Sequence, residues 1–252
     1  MHPYSEFLLH SSFMTIRWYG FLIAIGALSA YFFSLSEAKK NKIAESKFDS
    51  IFLVTLLFGI IGARIGFVVQ NTSYFSSHAT EIFKVWDGGL SIHGALILGA
   101  AALFISAKSL KLDFMKVANI IAPNVMLAAA IGRWGNFFNQ EIVGKPTNSA
   151  LRVAIDVAHR PIGFENISSF YPVFLFESVL LLIAFILYRA FKSKLENNAL
   201  VYTLVIYSLI RIIVEFWRID YKPIFIGLDL AQIVSSVIIL VTILAALTNR
   251  KK

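Results

Sequence analysis

Long apolar runs separated by short polar stretches form the pattern of this chain. Each run is close to the ~20 residues that an α-helix needs to cross ~30 Å of hydrocarbon. The pattern therefore predicts an all-α integral membrane protein with about seven transmembrane helices, folded as a single membrane domain over residues 1–252. The seven runs cover residues 18–36, 50–70, 88–107, 117–132, 173–190, 199–217 and 228–248.

One polar stretch, at about 133–172, is long enough to fold on its own. It contains Pro146, Pro161 and Gly163, which are residues typical of turns. Long connections in compact proteins are often functional. We expect this stretch to form a small periplasmic head between helices 4 and 5, and the loop 71–87 to form a smaller piece on the same side.

Composition supports a membrane location and accounts for the basic charge. Hydrophobic residues make up 58% of the chain and charged residues 15%, against about 25% charged residues in soluble domains. The net charge of +8 could indicate nucleic acid, but the basic clusters fall in every second loop, as expected for cytoplasmic loops. We expect an external N-terminus, a cytoplasmic C-terminus and no nucleic-acid partner. The clusters are Lys39, Lys40, Lys42 and Lys47; Lys108, Lys111 and Lys116; Arg189, Lys192 and Lys194; and Arg250, Lys251 and Lys252.

Arginines predominate among the remaining basic residues, whereas lysines predominate in the cytoplasmic clusters. Membrane orientation needs positive charge but does not need guanidinium in particular. A planar guanidinium can bind phosphate or carboxylate through two parallel hydrogen bonds. One interpretation is an anion site at the outer membrane boundary, and the other is chance combined with surface ion pairing. These arginines are Arg17, Arg64, Arg133, Arg152, Arg160, Arg211 and Arg218.

Several classes of membrane protein find no support in the sequence. The chain has no cysteine, so it offers neither a disulfide nor a thiol of its own. Aspartates do not stand at metal-binding spacing, and we expect no metal and no cofactor. We find no inverted repeat of the kind common in transporters and no lysine in the last apolar run, where a retinal protein would need one. Neither paired aspartates nor a Ser–His set indicates an intramembrane protease.

Two candidate site residues stand near predicted helix ends. Tyr19, in the stretch RWYG, belongs either to the aromatic belt at the membrane interface or to a site. His93, in WDGGLSIHGAL, is predicted slightly more than one turn inside helix 3. An ionisable side chain at that depth is costly to expose to lipid. It either bonds between helices as a neutral imidazole or acts as a general base.

A third candidate is the sixth apolar run, which contains YSLIRIIVEFWRID. Arg211, Glu215 and Arg218 stand there at i, i+4 and i+7, which places them on one face of a helix. The set is either a structural ladder of ion pairs or an arginine that a carboxylate holds ready for an anion.

The fourth candidate is the stretch GRWGNFFNQE, where we expect helix 4 to break into the head. It follows an apolar run and supplies a guanidinium, two amides and a carboxylate. Glycines nearby allow close approach of the backbone. The polar residues are Arg133, Asn136, Asn139 and Glu141, and the glycines are Gly132, Gly135 and Gly144.

These stretches resemble the prolipoprotein diacylglyceryl transferase family of bacteria. The family pattern GRxGNFxNxExxG is matched at every fixed position by GRWGNFFNQEIVG, and WDGGLSIHGA, RIIVEFWR, RWYG and GARIGF extend the resemblance over nearly the whole chain. The resemblance implies an enzyme of the bacterial inner membrane. It would move diacylglyceryl from phosphatidylglycerol to the lipobox cysteine of a preprolipoprotein, releasing glycerol 1-phosphate.

The resemblance also assigns expected roles. A thiolate would attack a glyceryl carbon while a phosphate monoester leaves, and fixed guanidiniums would stabilise the charge gained by the phosphate. The thiol, with a free pKa near ~8.5, would lose its proton, and either His93 or Glu141 could take it. We expect phosphatidylglycerol to be bound by Arg133, Asn136, Asn139, Gly144 and Glu215, and catalysis to involve Arg211, His93, Glu141 and Tyr19.

Two stretches depart from the family pattern. Where the family usually reads HPxQLYE at the start of helix 5, this chain reads YPVFLFE, with Tyr171, Phe174 and Phe176. Asn119 stands where an aspartate is common. We expect these changes to affect the lining near helix 5 and the choice of acceptor peptide rather than the phosphate and thiol residues.

Overall fold

The computed structural model describes residues 5–10, 15–85, 88–219 and 223–249. These residues form two compact units. The first unit is made of the described residues up to 33 and from 121 onward, and the second unit is made of residues 34–120. Two small antiparallel pairs join β1 to β2 and β3 to β4. The strands are β1 Phe7–His10, β2 Thr15–Arg17, β3 Val153–Ala154 and β4 Ser169–Phe170. The helices are α1 Trp18–Lys40, α2 Glu45–Gln70, α3 Thr72–Phe75, α4 Ile92–Ser109, α5 Phe114–Phe138, α6 Val173–Ala190, α7 Lys192–Leu195, α8 Ala199–Glu215 and α9 Leu230–Asn249.

The chain is a mostly helical, multi-pass membrane protein. Within the described residues, six helical stretches are long and apolar enough to cross a membrane. They are α1, α2, α4, α5, α6 and the continuous stretch Lys192–Glu215, while α9 contributes a shorter apolar stretch, Leu230–Ala245. The count of seven spans and the orientation stay predictions. The basic cluster at residues 250–252 and the N-terminal residues 1–4 lie outside the described residues, as do Trp86 and Asp87.

Helix α5 does not break where the sequence predicted. The expected break at residue 133 is wrong, because the helix continues to Phe138 and carries Arg133 and Asn136 near its end. Close packing explains the difference. The ring of Tyr19 on α1 lies within 2.5 Å of the point that a Cβ on Gly135 would occupy, and glycines that allow such contact are common in membrane helices despite their low helix propensity.

The head therefore begins after α5, at residue 139. Gln140 and Ile142 both adopt left-handed backbone conformations with φ of 55°, and these turn the chain out of the helix. Gln140 accepts a hydrogen bond from the backbone of Asp156 at 2.8 Å and donates one to its carboxylate at 3.0 Å. An apolar core supports β3 and β4 in the head, and its buried members are Val143, Val153, Ile155, Phe170 and Phe174.

The predicted depth of His93 is also wrong. Gly88 and Gly89 have φ of 88° and 70°, which an α-helix cannot contain, and Ser91 is extended. The helix α4 consequently begins at Ile92, and His93 is its second residue. The His93 side chain is exposed rather than inserted between helices.

In the second unit, α2 and α4 pack with their backbones in contact. A Cβ on Gly62 would overlap the backbone carbonyl of Gly94, and a Cβ on Gly94 would overlap that of Gly62. Gly66 continues this face one turn further along α2, where its Cβ would lie 3.1 Å from Gly94 Cα. Small residues at these positions let two membrane helices approach closely.

Arg64 of α2 fixes the loop that precedes α4. Its side chain is buried and donates to four backbone carbonyls. Nε bonds Ile82 at 2.7 Å, Nη1 bonds Gly88 and Gly89 at 2.8 and 3.0 Å, and Nη2 bonds Glu81. Glu81 and Ile82 belong to the 3-10 helix Ala79–Phe83, so one arginine satisfies carbonyls of that short helix and of the two glycines near the start of α4.

The core of the first unit is formed by α5, α6 and α8. Two side-chain hydroxyls donate to helix carbonyls across it, from buried Ser178 to Ala130 at 2.8 Å and from half-buried Tyr202 to Ala184 at 2.7 Å. The packing brings together the three helix ends that adjoin the head. Its buried apolar members include Met126, Ala130, Val173, Leu181, Ala184, Phe185, Ile210 and Val214.

The glycine contact between α2 and α4 predicts a selective loss of stability. In Gly62→Ala the new methyl group meets the Gly94 carbonyl, and overpacking of this kind typically costs ~1–3 kcal/mol. We expect a lower midpoint of thermal unfolding in detergent, by about 2–10 °C. Gly59→Ala is the control on the same helix, because its Cβ would have one neighbour, at 3.9 Å. Equal midpoints for the two variants would contradict the contact.

Candidate functional site

A buried carboxylate joins two arginines from different helices of the first unit. Glu177 of α6 is fully buried. Its Oε1 accepts a hydrogen bond from Arg133 Nη2 on α5 at 2.6 Å, and its Oε2 accepts one from Arg211 Nη1 on α8 at 3.2 Å. The two arginine side chains are only 21% and 14% exposed. Charge-assisted bonds are strong in such surroundings, and we call these three residues the arginine clamp.

The ion pairs predicted among Arg211, Glu215 and Arg218 are present, but the prediction that all three lie on one helix is wrong for Arg218, because α8 ends at Glu215. Arg211 Nη2 lies 2.5 Å from Glu215 Oε2, and Arg218 Nε lies 3.3 Å from Glu215 Oε1. Glu215 and Glu177 therefore bond different terminal nitrogens of Arg211, and together they orient its guanidinium. The carboxyl group of Asp229 lies close to that of Glu215. Asp229 precedes α9 and exchanges hydrogen bonds with Gln232, which donates in turn to the Ile212 carbonyl on α8 at 3.1 Å.

A second group of polar side chains lies at the end of α5. Glu141 Oε1 accepts hydrogen bonds from the amides of Asn136 and Asn139 at 2.8 and 3.1 Å. Asn136 is buried and its Oδ1 lies 3.5 Å from Arg133 Nη1, which connects this group to the arginine clamp. Glu141 itself is exposed. The arrangement presents a fixed carboxylate to solvent beside a guanidinium.

Tyr19 packs onto this end of α5. It is half-buried, and it lies close enough to Glu141 and Arg133 to sense their charges. The neighbouring Trp18 stacks on Phe138 with ring centres 4.6 Å apart and planes within 11°. These contacts hold the start of α1 against the end of α5, and the role of Tyr19 in a site stays a prediction.

Gly144 lies where the head meets the ends of α6 and α8. Its N–H donates to the Tyr171 carbonyl at 2.8 Å. A Cβ at this position would come within 2.7 Å of both the Trp217 carbonyl and a Val173 methyl group. The absence of a side chain is thus required for packing, and contact of Gly144 with a ligand stays a prediction.

His93 belongs to the second unit and is described with that unit alone. It is an exposed residue in the first turn of α4. Its predicted role as a base stays a prediction.

Sequence reasoning missed three residues of the network. Glu177 is the only carboxylate of α6, and an acid within an apolar run suggests a functional site, so a signal was present. Asp229 could have been found from the capping spacing to Gln232. Tyr207, which lies close to Arg133 and Arg211, is an ordinary aromatic residue in an apolar helix and gives no signal.

One of the two departures from the family pattern, the stretch YPVFLFE, ends at Glu177. Tyr171 and Phe176 each meet the ring of Trp217 edge to face, with ring centres 5.5 and 5.8 Å apart. Phe174 is buried in the core of the head. These aromatic rings pack against Trp217 and into the head, on the residues that immediately precede Glu177 in the chain.

The chemistry available to the network is anion binding. Among the described residues, no group of three or more His, Asp or Glu side chains could hold a metal ion. Arg133 Nε is buried and has no hydrogen-bond partner among those residues. An unsatisfied buried donor costs ~1–3 kcal/mol, and a phosphate oxygen would satisfy it. Fixed guanidiniums also stabilise negative charge that develops on a leaving group.

Comparison with known proteins agrees with this geometry. Residues 6–248 match the family described as prolipoprotein diacylglyceryl transferase. The phosphatidylglycerol–prolipoprotein diacylglyceryl transferase of Streptococcus uberis is 38% identical over 249 residues, which cover 94% of this chain and 92% of the relative. Proteins of the same name from Thermotoga maritima and Thermosynechococcus vestitus are 36% and 34% identical, over 94% and 92% of this chain and 82% and 87% of their own lengths. The chain belongs to the prolipoprotein diacylglyceryl transferase family.

Proposed function

We propose that this protein transfers diacylglyceryl from phosphatidylglycerol to the cysteine thiol of a prolipoprotein, the first step of bacterial lipoprotein maturation. The observation that carries the proposal is the arginine clamp, in which Arg133 and Arg211 meet within the first unit around one carboxylate. Two guanidiniums suit the phosphate of the lipid donor. The names of the relatives support the same reaction.

The reaction balances as a substitution at carbon. The thiolate forms a sulfur–carbon bond to the glyceryl group, and the bond from that carbon to the phosphate oxygen breaks. The electron pair leaves with the oxygen, which gives glycerol 1-phosphate and a thioether. Because the chain has no cysteine, the acceptor thiol attacks the lipid directly.

The residues of the site divide these tasks. Arg133 and Arg211 bind the phosphate and stabilise its growing charge. Glu215 positions Arg211, and Asn136, Asn139 and Tyr19 orient the headgroup. The thiol proton goes to Glu141 or His93, and the pH–rate profiles of Glu141→Gln and His93→Ala distinguish these two bases.

The proposal is tested directly with purified protein in vesicles. With phosphatidylglycerol and a peptide carrying the lipobox cysteine, we expect the peptide to gain one diacylglyceryl group by mass. Vesicles of phosphatidylcholine alone, and a peptide with serine in place of that cysteine, should give no product. Transfer should survive EDTA, because protein cations stabilise the phosphate. The proposal is refuted if the cysteine peptide gains no diacylglyceryl group in vesicles that contain phosphatidylglycerol.

The proposed membrane is the bacterial inner membrane, crossed seven times with the N-terminus outside. The basic clusters support this orientation, which makes the head and the loop 71–87 periplasmic. Single cysteines at Asn148 and Asn197 test it. We expect an impermeant thiol reagent to label Asn148→Cys in intact cells and to leave Asn197→Cys unlabelled. The reverse pattern would overturn the orientation.

A separate prediction distinguishes guanidinium geometry from charge. Arg133→Lys and Arg211→Lys keep the charge but lose the planar fork, so we expect each to lower kcat/KM at least about 100-fold, as removal of one fixed donor does in other enzymes. Arg152→Lys is the matched control. Arg152 is an exposed head residue whose two carbonyl contacts are 3.4 Å long, and its exchange should leave activity unchanged. Equal activity in all three variants would contradict binding of the phosphate by Arg133 and Arg211.

A further inference from the structure

We propose that Glu177 is a resident counter-anion that tunes the arginine clamp to hold a singly charged phosphodiester and to release a doubly charged phosphate monoester. The proposal rests on the proposed function, since the donor lipid is such a diester and glycerol 1-phosphate is such a monoester. It gives Glu177 a part in product release in addition to its part in holding two arginines.

The position of Glu177 makes its charge effective. The residue is 0% exposed, so water does not screen it. Each carboxylate oxygen bonds one guanidinium, at 2.6 Å to Arg133 and 3.2 Å to Arg211. An anion bound to these two arginines lies on the same guanidiniums as Glu177 and is repelled by it at short range. In a medium of low dielectric this repulsion is much larger than in water.

The arginine clamp can accept a ligand without losing Glu177. Arg133 Nε has no hydrogen-bond partner among the described residues, although the guanidinium already bonds Glu177. A guanidinium carries five N–H donors in a fixed fork, so a phosphate oxygen can bind donors that Glu177 leaves open. Substrate and Glu177 therefore occupy the site together rather than in turn.

The effect of Glu177 depends on the charge of the ligand. Repulsion between a fixed charge and a bound anion grows in proportion to the charge of the anion. A phosphodiester carries one negative charge and an ionised monoester carries two, so Glu177 opposes binding of the monoester about twice as strongly. The arginine clamp with Glu177 therefore favours the monoester less than the two arginines alone would.

The reaction converts one ligand into the other in place. When the carbon–oxygen bond breaks, the phosphate gains a charge while still bound beside Glu177. The attraction of the arginines assists that step, and the added repulsion from Glu177 favours departure of the product. Product release limits the turnover of many enzymes. A fixed residue that speeds release of the product can therefore raise the turnover rate.

The test compares two soluble ligands of the full-length protein in detergent. They are glycerol 1-phosphate, the monoester, and glycerophosphoglycerol, the diester, and their dissociation constants are measured at pH 8. Removing a repulsion shifts log Kd in proportion to ligand charge, so it acts about twice as strongly on the monoester. In Glu177→Gln we expect the preference for monoester over diester to rise about tenfold. Glu165→Gln is the control, because Glu165 lies exposed in the head and accepts a bond from the Gly163 backbone.

If Glu177 has a purely structural role, Glu177→Gln should weaken binding of both ligands alike and leave the ratio of their dissociation constants unchanged. That result would overturn the proposal. Glu177→Asp keeps the charge and should keep the wild-type ratio. The pH dependence gives an independent measurement, since the monoester gains its second charge near pH ~6. Between pH 5.5 and 7.5 the affinity of the monoester relative to the diester should rise less in the wild type than in Glu177→Gln, and equal changes in the two proteins would contradict the proposal. The diester keeps its charge over this range, so it controls for changes in the protein itself.

The outcome is distinguishable from failure of the proposed function. If the wild-type protein transfers no diacylglyceryl to a lipobox peptide, the proposed reaction fails whatever the ligand ratio. If transfer occurs and the ratio is the same in the wild type and Glu177→Gln, the reaction stands and the role of Glu177 as counter-anion is refuted.

Discussion

Glu177 lies between Arg133 and Arg211 with no exposure to water, and the arrangement of the site follows from this contact. Burial of an ion is costly unless the ion is paired and hydrogen-bonded. Two guanidiniums close together inside the first unit would also repel each other. The shared carboxylate removes both difficulties, because each of its oxygens serves one arginine. The apolar core of α5, α6 and α8 supplies the driving force for packing, and the ion pairs determine which ends of those helices can be brought together.

The polar group at the end of α5 depends on a different kind of constraint. Gln140 and Ile142 stand on either side of Glu141 in left-handed conformations, which are unfavourable for a β-branched residue such as Ile142. The bonds between Gln140 and Asp156 and the packing of the head offset this strain. Strain of this kind tends to accumulate at functional sites, and here it aims a carboxylate outward beside Asn136.

Spacing along the sequence was sufficient to predict the contacts between residues that are close in the chain. The apolar runs located the helices, and the i, i+4 relation between Arg211 and Glu215 predicted their ion pair. The bond from Arg133 to Glu177 joins residues 44 positions apart, so it depends on how helices pack and leaves no periodic trace. The ends of the helices were harder to predict, because they also depend on how the helices pack. The polar stretch from residue 133 predicted a helix break, but Gly135 packs against Tyr19 and the helix continues to Phe138.

The four carbonyls around Arg64 have a mechanical consequence. The buried side chain bonds Glu81, Ile82, Gly88 and Gly89 to α2, and Tyr74 of α3 also donates to Glu81. These four residues should therefore move with α2 rather than as an independent flap. A force applied to them reaches α2, and the Gly62–Gly94 contact passes it on to α4. Displacement of the bonded residues should then be accompanied by displacement of both helices.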